Sequence, residues 1–160
     1  ALVIALVAAT SPAVAKQIGS FKDWPAHTEG KDESRTCWIY SEPVKDEGKY
    51  AKRGRIYVLV THRPGEKTFD QVQFTAGYTY KKGSGVQVEI GAKKFELFTN
   101  GDTAWARSPK DDEAIVAAMR GGANMVLTGQ SSRGTKTKDT YSLSGISAAH
   151  KAIGKACGVK

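Results

Sequence analysis

Apolar and polar residues alternate along most of the chain, and the period changes to a helical one at only two places. "VQVEI" at Val86–Ile90 alternates strictly, the mark of a half-buried strand. "RIYVLVTH" at Arg55–His62 sets Ile56, Val58 and Val60 on one face and Tyr57 and Leu59 on the other, which suits a central strand. "TCWIYSEP" is a β-rich run stopped by Pro43, and "KTFDQVQFTAGYTY" places Val72 and Phe74 on one face. "KKFELFTNGDTAWARS" reads as a hairpin turning at Asn100-Gly101. "ANMVLTGQSS" and "KDTYSLSG" flank the tip "RGTKTK" and form another hairpin. The entry segment is rich in turn formers and predicts one short edge strand near Phe21–Trp24, ended by Pro25. "VKDEGKYAKRG" reads as a polar loop.

The helical period appears first in "SPKDDEAIVAAMRGG". Ser108 can cap, Pro109 suits the first turn, acids fill the start, Gly121 ends it, and Ile115, Ala118 and Met119 face inward. It returns in "ISAAHKAIGKAC", with Ile146, Ala149, Ile153 and Cys157 on one stripe. About eight strands and two short helices predict an all-β fold: a single antiparallel β-sandwich or partly closed barrel. Helices do not alternate with strands, so a parallel α/β sheet is not expected. Trp38 and Trp105 are expected in the sheet core.

The first fifteen residues, "ALVIALVAATSPAVA", carry no charge and end in Ala13-Val14-Ala15, the pattern of a signal-peptide apolar region and its cleavage site. The segment is read as the remnant of a signal peptide, with a retained apolar anchor as the alternative, and residues 16–160 as one domain. Export makes the even cysteine count meaningful. Cys37 and Cys157 are expected to form a disulfide tying the last helix to the sheet, since the compartment outside the cytoplasm is oxidising; two separate buried thiols are the alternative.

The formal net charge is +8. Such a surface favours anionic partners. The charges are scattered, so no nucleic acid is expected. Candidate chemistry is sparse. No G-x-S-x-G elbow, H-E-x-x-H pair, calcium loop or phosphate loop occurs. Asp111, Asp112 and Glu113 occupy a first helical turn, where acids complement the helix dipole. His27 lies in the loose entry segment, His62 is placed for exposure beside Arg63 and Pro64, and His150 lies at the edge of the last helix's buried stripe. Catalytic, metal-ligating and cofactor-binding residues are therefore expected to be none, with no cofactor and no small-molecule substrate. The one constellation singled out is a partner-binding patch: Arg133, Lys136 and Lys138 at the hairpin tip, with Tyr78 and Tyr80 beside Lys81 and Lys82.

Several spaced motifs occur in order: "VEIG", "FELF", "GDTAWA", "SSRGT" and "DTYSL", then a helix ending in "AC". The series resembles the invasion-associated locus B family of exported bacterial proteins over roughly Phe21 to Gly158. The resemblance implies a signal-bearing, mostly β domain in the periplasm or outside the cell. It carries no catalytic residues and no cofactor. Cys37 and Cys157 match the family's cysteine positions, and Arg133-Gly134-Thr135 matches its "RGT". The leading expectation is a non-enzymatic exported protein, periplasmic or secreted, that binds a protein partner or an anionic envelope or host surface. One alternative is a periplasmic accessory subunit of an inner-membrane complex, anchored by an uncleaved N-terminus. Another is a hydrolase on a sandwich scaffold, supported only by the supply of Ser, His and Asp.

Overall fold

The computed structural model describes residues 14–159. Most of the segment read as a signal or anchor therefore lies outside the described residues. Among the described residues, eleven strands form one antiparallel sheet, in the order β1 (Lys16–Phe21), β2 (Trp24–Glu29), β3 (Thr36–Ser41), β5 (Tyr57–Arg63), β6 (Thr68–Thr75), β9 (Thr103–Trp105), β8 (Lys93–Asn100), β7 (Val86–Ile90), β10 (Asn124–Gln130), β11 (Lys136–Ser142) and β4 (Lys45–Gly48). The sheet folds over at β8. Residues Lys93–Leu97 pair with β7, and Phe98–Asn100 pair with β9. The two resulting layers face each other: the Phe74 and Tyr141 rings meet edge-on at 6.5 Å, and Trp24 Nε1 donates to the Ser142 carbonyl at 3.0 Å. β1 and β4 remain free edges, so the sandwich does not close into a barrel.

More strands form than the pattern of apolar residues predicts. A β1–β2 hairpin replaces the single entry strand. Pro25 does not end it, because it precedes the ladder to β3, which begins at Ala26 opposite Ile39. The polar loop contributes β4, whose "KDEG" pairs with β11 from Thr137 to Thr140. An edge strand needs only one neighbour and no apolar face, and its charges discourage further pairing.

Period-two alternation puts Cys37 and Ile39 of β3, Val58 and Val60 of β5, and Val72 and Phe74 of β6 on the inner face, all buried. The same alternation puts Trp38, Tyr40 and Trp105 on the outer face, where each is half-exposed. The expected core positions of Trp38 and Trp105 are thus corrected. Trp24, placed by sequence in an edge strand of the loose entry segment, is fully buried.

Helix α1 (Pro109–Gly121) begins as expected, with Ser108 Oγ accepting from the Asp111 N–H at 3.2 Å. Its Ile115, Ala118 and Met119 are buried. Helix α2 (Ile146–Cys157) buries Ile146, Ala149, Ile153 and Cys157 against β1, β2, β3 and β5. A disulfide joins Cys157 to Cys37 across 120 residues, with the Cα atoms 6.1 Å apart. No helix among the described residues is long and apolar enough to cross a membrane.

Candidate functional site

The β10–β11 turn is built by its own hydrogen bonds. Gly134, at φ +86°, allows the chain to reverse, and its N–H donates to the Ser131 carbonyl at 2.8 Å. Ser131 Oγ accepts from the Thr135 N–H at 3.1 Å. The turn is then tied to the segment after β6: the Ser132 N–H donates to the Thr79 carbonyl at 2.8 Å, and the Lys81 N–H to the Gln130 carbonyl at 2.9 Å. A third segment, the loop after β4, closes over the same place, with the Gly54 N–H bonded to the Gly77 carbonyl at 2.8 Å. Gly77 must be glycine here. Its φ is +72°, and a Cβ would sit 2.4 Å from the Gly54 carbonyl oxygen.

These three segments enclose a cleft of about 580 Å³. Lys49, Lys52 and Arg133 line it, with hydroxyls from Tyr50, Tyr78, Ser131, Ser132 and Thr135. Lys136 joins Lys49 and Arg133 in an adjoining groove. None of these four cations is ion-paired among the described residues, whereas Lys45, Arg55 and Lys94 each meet a carboxylate.

Arg53 supports the wall beneath. Its Nη1 and Nη2 donate to both carboxylate oxygens of Asp139 at 2.7 and 2.6 Å, and its Nε donates to the Ala76 carbonyl at 2.7 Å. The guanidinium lies 4.9 Å from the centre of the Tyr78 ring and 5.3 Å from that of Tyr50. Tyr78 Oη and Thr137 Oγ1 share a hydrogen bond of 2.6 Å. Burial pushes the Tyr78 hydroxyl up, with the Thr137 bond and Arg53 opposing. Burial also pushes the Asp139 carboxyl up against the pull of Arg53. The cleft therefore keeps neutral hydroxyls and fixed cations, an arrangement that can hold a phosphate or carboxylate group.

Of the patch read from sequence, Arg133, Lys136 and Tyr78 come together here. Lys81 is held beside the hairpin by its backbone bond. Lys82 and Lys138 are exposed but do not line the cleft, and Lys138 faces Glu47 across the strand pair. Tyr80 is not an exposed contact. It is 6 % exposed, and its ring packs edge-on against Tyr78 at 5.2 Å. Lys49, Tyr50 and Lys52 escape the sequence pattern, because "KYAKR" lies in a polar loop with no apolar period. The signal available was two lysines spaced around an aromatic residue in a basic loop.

A second cluster gathers residues scattered in sequence. The register between β5 and β6 slips after Thr61, so Phe69 and Asp70 bulge opposite His62. His62 is fully buried, a correction to its expected exposure, because α2 covers this end of the sheet. The Asp70 N–H donates to His62 Nδ1 at 3.1 Å, and Asp70 Oδ1 lies 3.8 Å from His62 Nε2. His150 of α2 reaches the same oxygen through Nε2 at 2.6 Å. These three side chains have the spacing of a metal site. Hydrogen bonding argues otherwise. With Nδ1 accepting, the neutral His62 ring carries its proton on Nε2, leaving that nitrogen no lone pair for a metal.

The chain matches none of the curated proteins and none of the solved structures. A family model for "Invasion associated locus B (IalB) protein" matches residues 24–154, from the buried Trp24 through most of α2 and across every segment that builds the cleft. The chain belongs to the invasion-associated locus B family.

Proposed function

We propose that the protein is an exported, non-enzymatic envelope or secreted protein that binds an anionic partner or surface through the cleft at Lys49, Lys52 and Arg133. One observation carries the reading: cations from two separate segments, unpaired among the described residues, converge with a row of hydroxyls on one concave site. The disulfide fits an oxidising compartment and supports export. The accessory-subunit reading draws on the apolar segment before Lys16, and no feature of the fold favours it.

Co-sedimentation with phosphatidylglycerol vesicles tests the proposal, with phosphatidylcholine vesicles as control. Binding should be confined to the anionic vesicles and fall sharply between 0.1 and 1 M salt, as the Debye length shrinks from about 10 to about 3 Å. A basic side chain near an anionic bilayer contributes about 1 kcal/mol. Reversing Lys49, Lys52 and Arg133 to Glu should therefore weaken binding by about a hundredfold or more. Unchanged binding by a folded, disulfide-intact variant would overturn the assignment.

A further inference from the structure

His62 makes one hydrogen bond that only its neutral form can make. Its Nδ1 is the acceptor for the Asp70 N–H, and its Nε2 is buried with no hydrogen-bond partner, 3.8 Å from Asp70 Oδ1. Asp70 itself sits in the left-handed region at φ +53°, a conformation that a non-glycine residue keeps only when its surroundings hold it there. Two bonds hold it: the one to His62 from its backbone, and the one to His150 from its side chain. The bulge is thus the point where β5, β6 and α2 are joined.

We propose that this bulge is an acid-released latch: protonation of His62 on Nδ1 sets two N–H groups face to face, breaks the Asp70 backbone bond and frees the Pro64–Asp70 corner from β5, while the Asp70 side chain keeps its bond to His150 of α2. The corner forms one wall of a cavity of about 870 Å³ that also involves the start of α1 and the end of α2, so its release reshapes that cavity.

The groups facing the latch come from every packed element. Asp70 lies on β6, His150 on α2, Phe69 tilts its ring 6.2 Å from that of His62, and the disulfide sulfur of Cys157 lies 3.9 Å from the His62 carbonyl. From α1, Asp112 and Arg120 act on the cluster through Asp70. Burial pushes the His62 ring below its ordinary 6.5, with Asp70 opposing and the charge of His150 adding to the fall. The fold therefore favours neutral His62. That stabilisation is complete above 6.5 and is lost as pH falls toward the depressed value. Asp70 stays ionised through this window, because His150, His62 and Arg120 together outweigh its burial. Asp112 runs the other way. Burial pushes it up to about 6, so its protonation on acidification favours the fold, and its Oδ1 can accept the Val72 N–H in either state. The two effects offset each other in a global melt, which is why a local probe is needed.

Amide hydrogen exchange, normalised for intrinsic rates, supplies that probe in a series from pH 7.5 down to pH 4. The comparison is wild type against His62→Asn, whose Oδ1 can take the place of Nδ1 but does not titrate. The wild-type Asp70 amide should lose at least about tenfold in protection on acidification while β10 amides hold, and the variant should show no such loss. Unchanged wild-type protection, or an equal loss in the variant, would overturn the latch. Should the variant not fold, the wild-type His62 ring and the Asp70 amide must titrate in NMR with one shared midpoint below 6.5; separate midpoints refute the proposal.

Discussion

Arg53 shows how one side chain can brace the wall of the proposed binding cleft without lining it. It is buried, it satisfies both oxygens of a buried Asp139, and its flat guanidinium backs the Tyr50 and Tyr78 rings. Removing one partner of such a pair strands a charge away from water and costs about 3–5 kcal/mol, while replacing both by apolar groups is far milder. Arg53→Met should therefore destabilise the fold by about that much in urea titration, and adding Asp139→Leu should restore most of it. Additive losses would mean that the pair is not coupled as the geometry indicates. Little of this was legible in the sequence. Arg53 stood in a polar loop and Asp139 at the start of an alternating run, and 86 residues separate them. The hairpin lysines were visible because they are local to one turn. The Lys49–Lys52 side of the cleft was not, because only the three-dimensional closure of the β4–β5 loop onto Gly77 brings it there.

At the scale of elements, both helices could be read from their caps and stripes. Ser108, Pro109 and the four buried positions of α2 take the roles their spacing assigns. The central strands were equally legible, since buried β-branched runs leave few alternatives. Edge strands were not. β1 and β4 are defined by a partner on one side and carry no apolar stripe of their own. α2 is joined to the sheet by the disulfide, and chain-entropy reasoning gives a loop of 120 residues about 4–5 kcal/mol. Replacing Cys37 and Cys157 by Ala should lower stability by up to that amount. The amides of α2 should lose protection before those of β10 and β11; a uniform loss would count against α2 as the element the bridge retains. On α1, the carboxyl of Asp112 pushed up to about 6 means that the fold prefers it protonated. That contribution is present at acid pH and disappears as pH rises through 6. Asp112→Asn keeps an acceptor for the Val72 N–H, so it should raise the melting temperature at pH 7.5 and leave it nearly unchanged at pH 4. An equal change at both values would refute a titrating Asp112.

For the molecule as a whole, the family, the sandwich and the net charge of +8 make one consistent picture, with a stapled β scaffold presenting cations at one end. Charge alone would give diffuse attraction to any polyanion. A cleft gives the attraction an address. Chemical-shift mapping with a short-chain phosphatidylglycerol, kept below its micellar concentration, reads that address directly. Perturbations should concentrate in Lys49–Arg53, at Tyr78 and Thr79, and across Ser131–Thr137, and should vanish when Lys49, Lys52 and Arg133 are reversed. Shifts gathered on the outer face at Trp38, Tyr40 and Trp105, with none at the cleft, would contradict the account.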